Sequence, residues 1–343
     1  MTSNRTPSTS RDKLPRAGSR EWYTLARRVM FALAAILMVA FGQLPVERPT
    51  LDARGGPPIA EARSWGYQLQ NVGLQSISDG TDLLVVDYSR DGSELRVFGA
   101  EEIERLRTRN DGSKRIVLAY LSIGEAESYR YYWQKRWTPG QPSWLGSENA
   151  EWRGNYNVRF WQAGWREIIM RPQVSLLGRM IEAARPAARP YLDRIIEAGF
   201  DGIYLDRVDA FEEWKRENPN AQADMMTFVS AISSYAKRRR PGFLVVAQNG
   251  EELLASADYR RSLDAIAKED LIYGVDGNGK RNDADSIKSS IAELNRMKTE
   301  GRPVFVVEYL SETEKRADVM RQLARTGFIV HFAERDLRQT PEQ

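Results

Sequence analysis

Eight short apolar runs rich in β-branched residues recur between residues 82 and 332, with helical patterns between them. This alternation restricts the fold more than any other feature of the chain. The runs are Asp82–Asp87, Arg115–Leu121, Asn157–Trp161, Gly202–Asp206, Phe243–Gln248, Ala265–Glu269, Pro303–Glu308 and Gly327–Phe332. Near-continuous apolar strands are the mark of a parallel sheet covered on both faces. The intervening segments are amphipathic. Met225, Phe228, Val229, Ile232 and Tyr235 share one helical face, as do Ile287, Ile291 and Leu294, and Val319, Met320 and Leu323. Pro190 stands where a further helix would start and Gly199 where it would stop. Eight strand–helix units over about 280 residues match a single (β/α)8 TIM barrel, an α/β fold. A doubly wound open sheet is the alternative. Against it, Asp87-Tyr88-Ser89-Arg90-Asp91-Gly92 after the first run carries no glycine-rich dinucleotide fingerprint.

The front of the chain has a different character. Residues 1–20 are rich in Ser, Thr, Arg and Pro and read as a disordered tail. Arg27-Arg28 then precede an apolar run from Val29 to Gly42 that Gln43 and Pro45 cut short. Positive charge, a short apolar stretch and small residues at Ala40 and Gly42 fit a signal peptide cleaved after Gly42. An uncleaved N-terminal membrane anchor is the runner-up. A buried core helix and a twin-arginine signal fit less well. Residues 43–63, with Pro45, Pro49, Gly55, Gly56, Pro57 and Pro58, read as a linker, and residues 64–338 as the barrel. The expected location is extracytoplasmic, secreted or periplasmic, with membrane contact only through the N-terminal segment if it stays uncleaved.

The charge follows the same division. The whole chain is +3, but residues 1–42 hold seven basic and two acidic side chains, so the body is near −2. A nucleic-acid-binding protein would carry its positive field on the folded domain, so no nucleic-acid partner is expected. With no cysteine, thiol nucleophiles, disulfides and zinc–thiolate sites are excluded, and with only His331, histidine-cluster metal chemistry is disfavoured. No metal or cofactor is expected.

Polar residues gather at the ends of the runs. Asp87 closes the first. Tyr120, Ser122 and Glu125 lie at the end of the second, and Trp161 closes the third. Asp206 and Asp209 follow the fourth, Gln248 and Asn249 the fifth, Lys268 and Glu269 the sixth, Glu308 and Tyr309 the seventh. In a barrel these ends converge on one rim, where active sites are built. Glycosidic hydrolysis needs two carboxyl groups on such a rim and neither histidine, cysteine nor cofactor. Taken singly, an acid at a strand end can equally cap a helix or pair with an arginine.

Six of the nine tryptophans (Trp133, Trp137, Trp144, Trp152, Trp161, Trp165) fall between residues 133 and 165, joined by Tyr129, Tyr131, Tyr132 and Tyr156. The stretch Glu127–Asn157 has little periodicity and reads as a long loop over the strand ends. Its rings either stack on sugars or form the loop's own small core. The segment Gly274–Arg281 resembles a phosphate-binding loop, but Arg281 replaces the Ser or Thr that would bind magnesium, so a polar turn is the better reading. It also lacks the spacing of a calcium loop. His331 reads as a hydrogen-bonded barrel residue. No Gly-x-Ser-x-Gly elbow is present.

Four segments together resemble glycoside hydrolase family 114, the endo-α-1,4-polygalactosaminidase-like family. They are Ala119–Glu127 (AYLSIGEAE), Gly199–Phe211 (GFDGIYLDRVDAF), Gln248–Glu251 (QNGE) and Lys268–Gly274 (KEDLIYG). The resemblance runs from about Trp65 to Arg335. It implies a (β/α)8 barrel and cleavage of α-1,4-linked galactosamine polymers. It implies Asp206 and Glu269 as the catalytic pair, with Asp87, Tyr120, Ser122, Glu125, Asp209 and Asn249 lining the groove. Trp161, Glu308 and Tyr309 join that set by position. Acidic groove residues suit a substrate with free ammonium groups. Well-studied members have Glu-Pro-Asp-Asn where this chain has Tyr204-Leu205-Asp206-Arg207, so it looks closer to a bacterial and archaeal branch. The expected function is that of an exported glycoside hydrolase acting on an amino-sugar-containing or related envelope or matrix polysaccharide. The alternative is a catalytically inactive carbohydrate-binding barrel of the cell envelope. A metal-dependent deacetylase, which usually needs two histidines, fits less well.

Overall fold

Two periodicities organise the molecule, and together they decide which side chains reach the site. The structure, a computed structural model, describes residues 58–73, 77–171 and 189–337. Its strands are β1 (Trp65–Gln68), β2 (Leu83–Val86), β3 (Ile116–Ser122), β4 (Glu125–Glu127), β5 (Leu145–Glu148), β6 (Asn155–Val158), β7 (Gly202–Asp206), β8 (Leu244–Gln248), β9 (Ala265–Glu269), β10 (Val304–Glu308) and β11 (Ile329–Phe332). The α-helices are α1 (Ala100–Arg107), α2 (Ala163–Ile169), α3 (Tyr191–Ala198), α4 (Phe211–Trp214), α5 (Ala221–Arg239), α6 (Ala257–Arg261), α7 (Ala284–Thr299) and α8 (Thr313–Leu323).

Eight strands pair in parallel in the order β1-β2-β3-β7-β8-β9-β10-β11. The two ends of this sheet approach each other. The Trp65 indole N–H on β1 donates to the Ile329 carbonyl on β11 at 3.0 Å. The Leu69 and Gln70 amides donate to the Leu337 carbonyl at 2.9 and 3.1 Å. The result is a nearly closed (β/α)8 barrel. Ile59–Glu61 forms one 3-10 turn ahead of β1, and Ala62 is already buried.

Side chains alternate along each strand. One set fills the barrel: Trp65, Tyr67, Leu83, Val85, Ile116, Leu118, Tyr120, Tyr204, Val246, Ala265, Ala267, Phe305 and Val307. The other set meets the helices: Leu84, Val86, Val117, Ala119, Leu121, Ile203, Leu205, Val245, Ala247, Ile266, Val304 and Val306. The barrel floor is aromatic, with the Trp65 ring 5.4 Å from Phe305, 5.6 Å from His331 and 6.2 Å from Tyr204. His331 is an interior residue that packs against the Trp65 ring, and among the described residues its Nε2 has no hydrogen-bond partner.

The helices follow the 3.6-residue period. α5 buries Met225, Phe228, Val229, Ile232 and Tyr235, and α7 buries Ile287 and Leu294. α3 begins after Pro190 and ends at Gly199, which adopts the left-handed conformation at φ 95°. α8 buries Val319 and Leu323, but Met320 is exposed. Among the described residues no helix is long and apolar enough to cross a membrane. The leader of residues 1–42 lies outside the described residues.

Two expectations about the region between β3 and β7 fail. Asn157–Trp161 is not a barrel strand: residues 155–158 form β6, which pairs antiparallel with β4 and β5 in a separate three-stranded sheet. The barrel's eighth strand is instead β1. The stretch Glu127–Asn157 therefore carries ordered strands, and it hangs from the end of β3 over the barrel mouth. Its rings mostly form a small core. Trp144, Trp165 and Tyr132 are buried, with Trp144–Trp165 centroids 5.3 Å apart and Trp137–Trp144 centroids 4.9 Å apart. The Trp165 indole N–H ties this core to the Ile123 carbonyl at 2.8 Å.

Candidate active site

The interior residues at the carboxyl ends of β3, β7, β8, β9 and β10 form two hydrogen-bonded sets, one around Asp206 and one around Glu269, which meet at the adjacent residues Gln248 and Asn249. Asp206 ends β7 on the same side as Tyr204, so it faces inward. Its Oδ2 accepts from the Tyr120 hydroxyl at 2.6 Å and its Oδ1 from Gln248 Nε2 at 3.2 Å. Glu269 ends β9 in step with Ala265 and Ala267 and also faces inward. Its Oε1 accepts from Asn249 Nδ2 at 2.9 Å and its Oε2 from the Tyr309 hydroxyl at 3.0 Å. The Glu269 amide donates back to Asn249 Oδ1 at 3.2 Å, so Asn249 grips this residue at two points. Asn249 Nδ2 also lies 3.5 Å from Asp209 Oδ2.

The electrostatics follow from this crowding. Burial pushes the Asp206 carboxyl up to about 7, the Glu269 charge adds to the rise, and the Tyr120 hydrogen bond opposes it. Burial raises Asp209 as well, opposed by Arg207. A carboxyl that exchanges its proton near neutrality, beside a second carboxyl, is the arrangement acid–base hydrolysis requires.

The backbone holds this group under local strain. Arg207, Asn249 and Asp270 directly follow β7, β8 and β9, and each is left-handed, at φ 60°, 61° and 52°. Non-glycine residues adopt this conformation at a cost, and such residues concentrate at functional sites. Gly124 is required nearby for a different reason. A Cβ there would stand 2.5 Å from the Arg207 carbonyl oxygen and 2.5 Å from Ala210 Cβ.

Of the residues expected at the site, Tyr120, Asp206, Asp209, Asn249, Glu269 and Tyr309 come together in this way. Ser122 is buried in register with Asp206, and its Oγ accepts from the Glu125 amide at 3.3 Å. Four others are engaged elsewhere. Asp87 is locked to Arg130 by two hydrogen bonds of 2.8 and 2.7 Å, and Arg130 also holds Glu127 at 2.6 Å, all three buried. Glu125 accepts from Asn149 Nδ2 at 2.7 Å and Asn155 Nδ2 at 3.2 Å and pairs with Arg207 at 3.0 Å, which anchors the small sheet. Glu308 shares the outward parity of Val304 and Val306. Its oxygens accept from the Ile272 and Tyr273 amides at 2.7 and 3.2 Å, which fixes the loop after β9. Trp161 closes no barrel strand. Its ring packs 5.2 Å from Phe160 and 5.5 Å from Trp214.

Arg207, beside Asp206, is neutralised rather than free. It pairs with Glu125, Asp209 and Glu213. Burial works against its charge, yet these acids raise its pKa above the usual arginine range. Tyr67 was not anticipated because β1 was not. Its ring lies 5.1 Å from Tyr204, and the charges of Asp206 and Glu269 add to the burial that raises its phenol. Among the described residues no group of three His, Cys, Asp or Glu side chains is arranged to hold a metal ion.

Comparison with known proteins identifies the family. The model of glycoside-hydrolase family GH114 matches residues 48–343. The chain belongs to this family. Membership makes it an endo-acting glycoside hydrolase. A relative from Methanocaldococcus jannaschii, described as an uncharacterized protein, is 36% identical over 267 residues, 76% of this chain and 70% of that one. A second, from Thermotoga maritima, is 34% identical over 288 residues, 80% of this chain and 81% of that one. In fold, the chain is similar to the glycoside hydrolase domain of PelA from Pseudomonas aeruginosa, with a TM-score of 0.55 at 17% identity, over 81% of this chain and 96% of that domain.

Proposed function

We propose that this GH114 protein is an exported enzyme that cleaves an amino-sugar-containing envelope or matrix polysaccharide, with Asp206 and Glu269 as its catalytic carboxyl pair. The observation that carries this reading is the pair itself. Two inward-facing acids end β7 and β9, each oriented by two side-chain donors, and burial with mutual charge brings Asp206 to about 7. One group then gives a proton to the leaving oxygen while the other acts as nucleophile or activates water. The third acid, Asp209, supports a substrate bearing ammonium groups, since its partly exposed carboxylate beside Asn249 can meet a cation entering the mouth.

Export is supported by the leader, a basic stretch followed by a short apolar run ahead of a domain near −2. Incubation of the protein with a panel of amino-sugar polymers, read by mass spectrometry, tests the substrate class. A ladder of released oligosaccharides is expected, and no product from any of them would contradict it. Mass spectrometry of the secreted protein tests export: a mature start near Gln43 is expected, and an intact Met1 would favour the anchor.

A further inference from the structure

Glu269 is held from outside the catalytic pair by a residue that never touches it. Arg335 follows β11, the last strand. Its Nη2 donates to both oxygens of Asp270, at 2.9 and 3.0 Å, and Asp270 is the left-handed residue directly after Glu269. The same guanidinium lies 4.3 Å from the centroid of the Tyr309 ring, and the Tyr309 hydroxyl donates to Glu269 Oε2. One cation thus closes a ring of contacts running through Asp270, the backbone of Glu269, its carboxylate and Tyr309.

We propose that Arg335 is a positioning residue for Glu269, acting through Asp270 on the backbone and through Tyr309 on the carboxylate. This rests on the reading of Glu269 as one of the catalytic pair. Physically, the two arms do different work. The first pins a strained backbone: the Asp270 amide donates to the Val307 carbonyl at 3.0 Å and its carbonyl accepts from Asn282 Nδ2 at 2.6 Å, but among the described residues only Arg335 holds its partly buried carboxylate, which loses its cation without that partner. Burial already pushes Asp270 up to about 6, against the pull of Arg335. Gly274 gives Asp270 its room, since a Cβ there would stand 2.2 Å from Asp270 Oδ1. The second arm fixes the Tyr309 ring by cation–π attraction and draws electron density from it, which strengthens the phenol as a donor. Arginine suits both tasks, because its planar group can donate in its plane and stack through its face.

The test compares the full chain with R335M, R335K, Y309F, the R335M/Y309F double variant and E269Q, on α-1,4-linked galactosamine oligomers, with folding checked by circular dichroism. R335M should lower kcat roughly ten- to a hundredfold with KM within about threefold, since misplacing a reacting group costs that much. R335K, which keeps the charge but not the fork, should recover part of the loss. Because the Tyr309 arm is shared, the double variant should fall well short of the product of the single losses. Wild-type kcat in folded R335M alongside inactive E269Q would overturn the proposal and leave the carboxyl-pair reading intact. Losses that multiply in the double variant would also overturn it. Turnover by E269Q would bring down the pair reading and this inference together. If R335M does not fold, R335K and R335K/Y309F take its place: a partial kcat loss that shrinks in the Y309F background supports the proposal, and wild-type kcat in R335K contradicts it.

Discussion

Burying Asp206 under Tyr120 and Gln248 makes it a liability to the fold at the pH where it is useful. Its carboxyl moves from 3.8 to about 7, so the folded state binds the proton more tightly than the unfolded chain between those values. Stability therefore falls as pH rises through that window, by at most about 4 kcal/mol. Asp206→Asn should raise the unfolding midpoint at pH 8 and change it little at pH 4, as thermal melts at both would reveal. A midpoint lowered at pH 8 would mean that Asp206 stabilises the barrel. Arg130 is the opposite case. It neutralises Asp87 and Glu127 in a buried cluster, so Arg130→Met strands two acids and should cost about 3–5 kcal/mol in chemical denaturation. At this scale the sequence was readable where side-chain parity was respected. Counting in twos from Tyr204 and Ala265 turns Asp206 and Glu269 inward, and the same count from Val304 turns Glu308 outward. Parity could not foretell that Arg130, distant in sequence, engages Asp87.

Elements differ in how strongly their own residues announce them. The amphipathic helices and the β-branched strands carry their period in the sequence. β1 does not: Trp65, Gly66, Tyr67 and Gln68 are only four residues with a glycine among them and no β-branched residue, and this strand is held by its pairing with β2 and by closure onto β11. β6 misled for the opposite reason, since a short run such as Asn157–Trp161 reads alike in a barrel and in a satellite sheet. The small sheet and the loop after β7 meet at Gly124, with no space between them for a side chain. Gly124→Ala should push the Arg207–Ala210 turn away, cost about 1–3 kcal/mol and lower kcat, because Asp209 sits on that turn. Unchanged melting and unchanged turnover would show that the contact yields freely.

The whole molecule joins an aromatic floor to an acidic mouth. His331 belongs to the floor, where burial lowers it to about 4. An unfolded histidine takes up its proton near 6.5, so the stability it lends is complete above that pH and is lost as pH falls towards 4. His331→Phe should flatten this acid loss in melts between pH 4 and 7, and an unaltered slope would place its origin elsewhere. Fold class and family were legible from strand count and ordered motifs, because a parallel barrel writes each strand as an apolar run and each site residue at a strand end. The satellite sheet was not, because its order comes from contacts with the barrel. The central claim is that Asp206 and Glu269 together perform the cleavage. Its most direct test measures glycan turnover by Asp206→Asn and Glu269→Gln, each confirmed as folded: both should release no oligosaccharide from a polymer that the wild type cuts, and full activity in either would contradict the assignment.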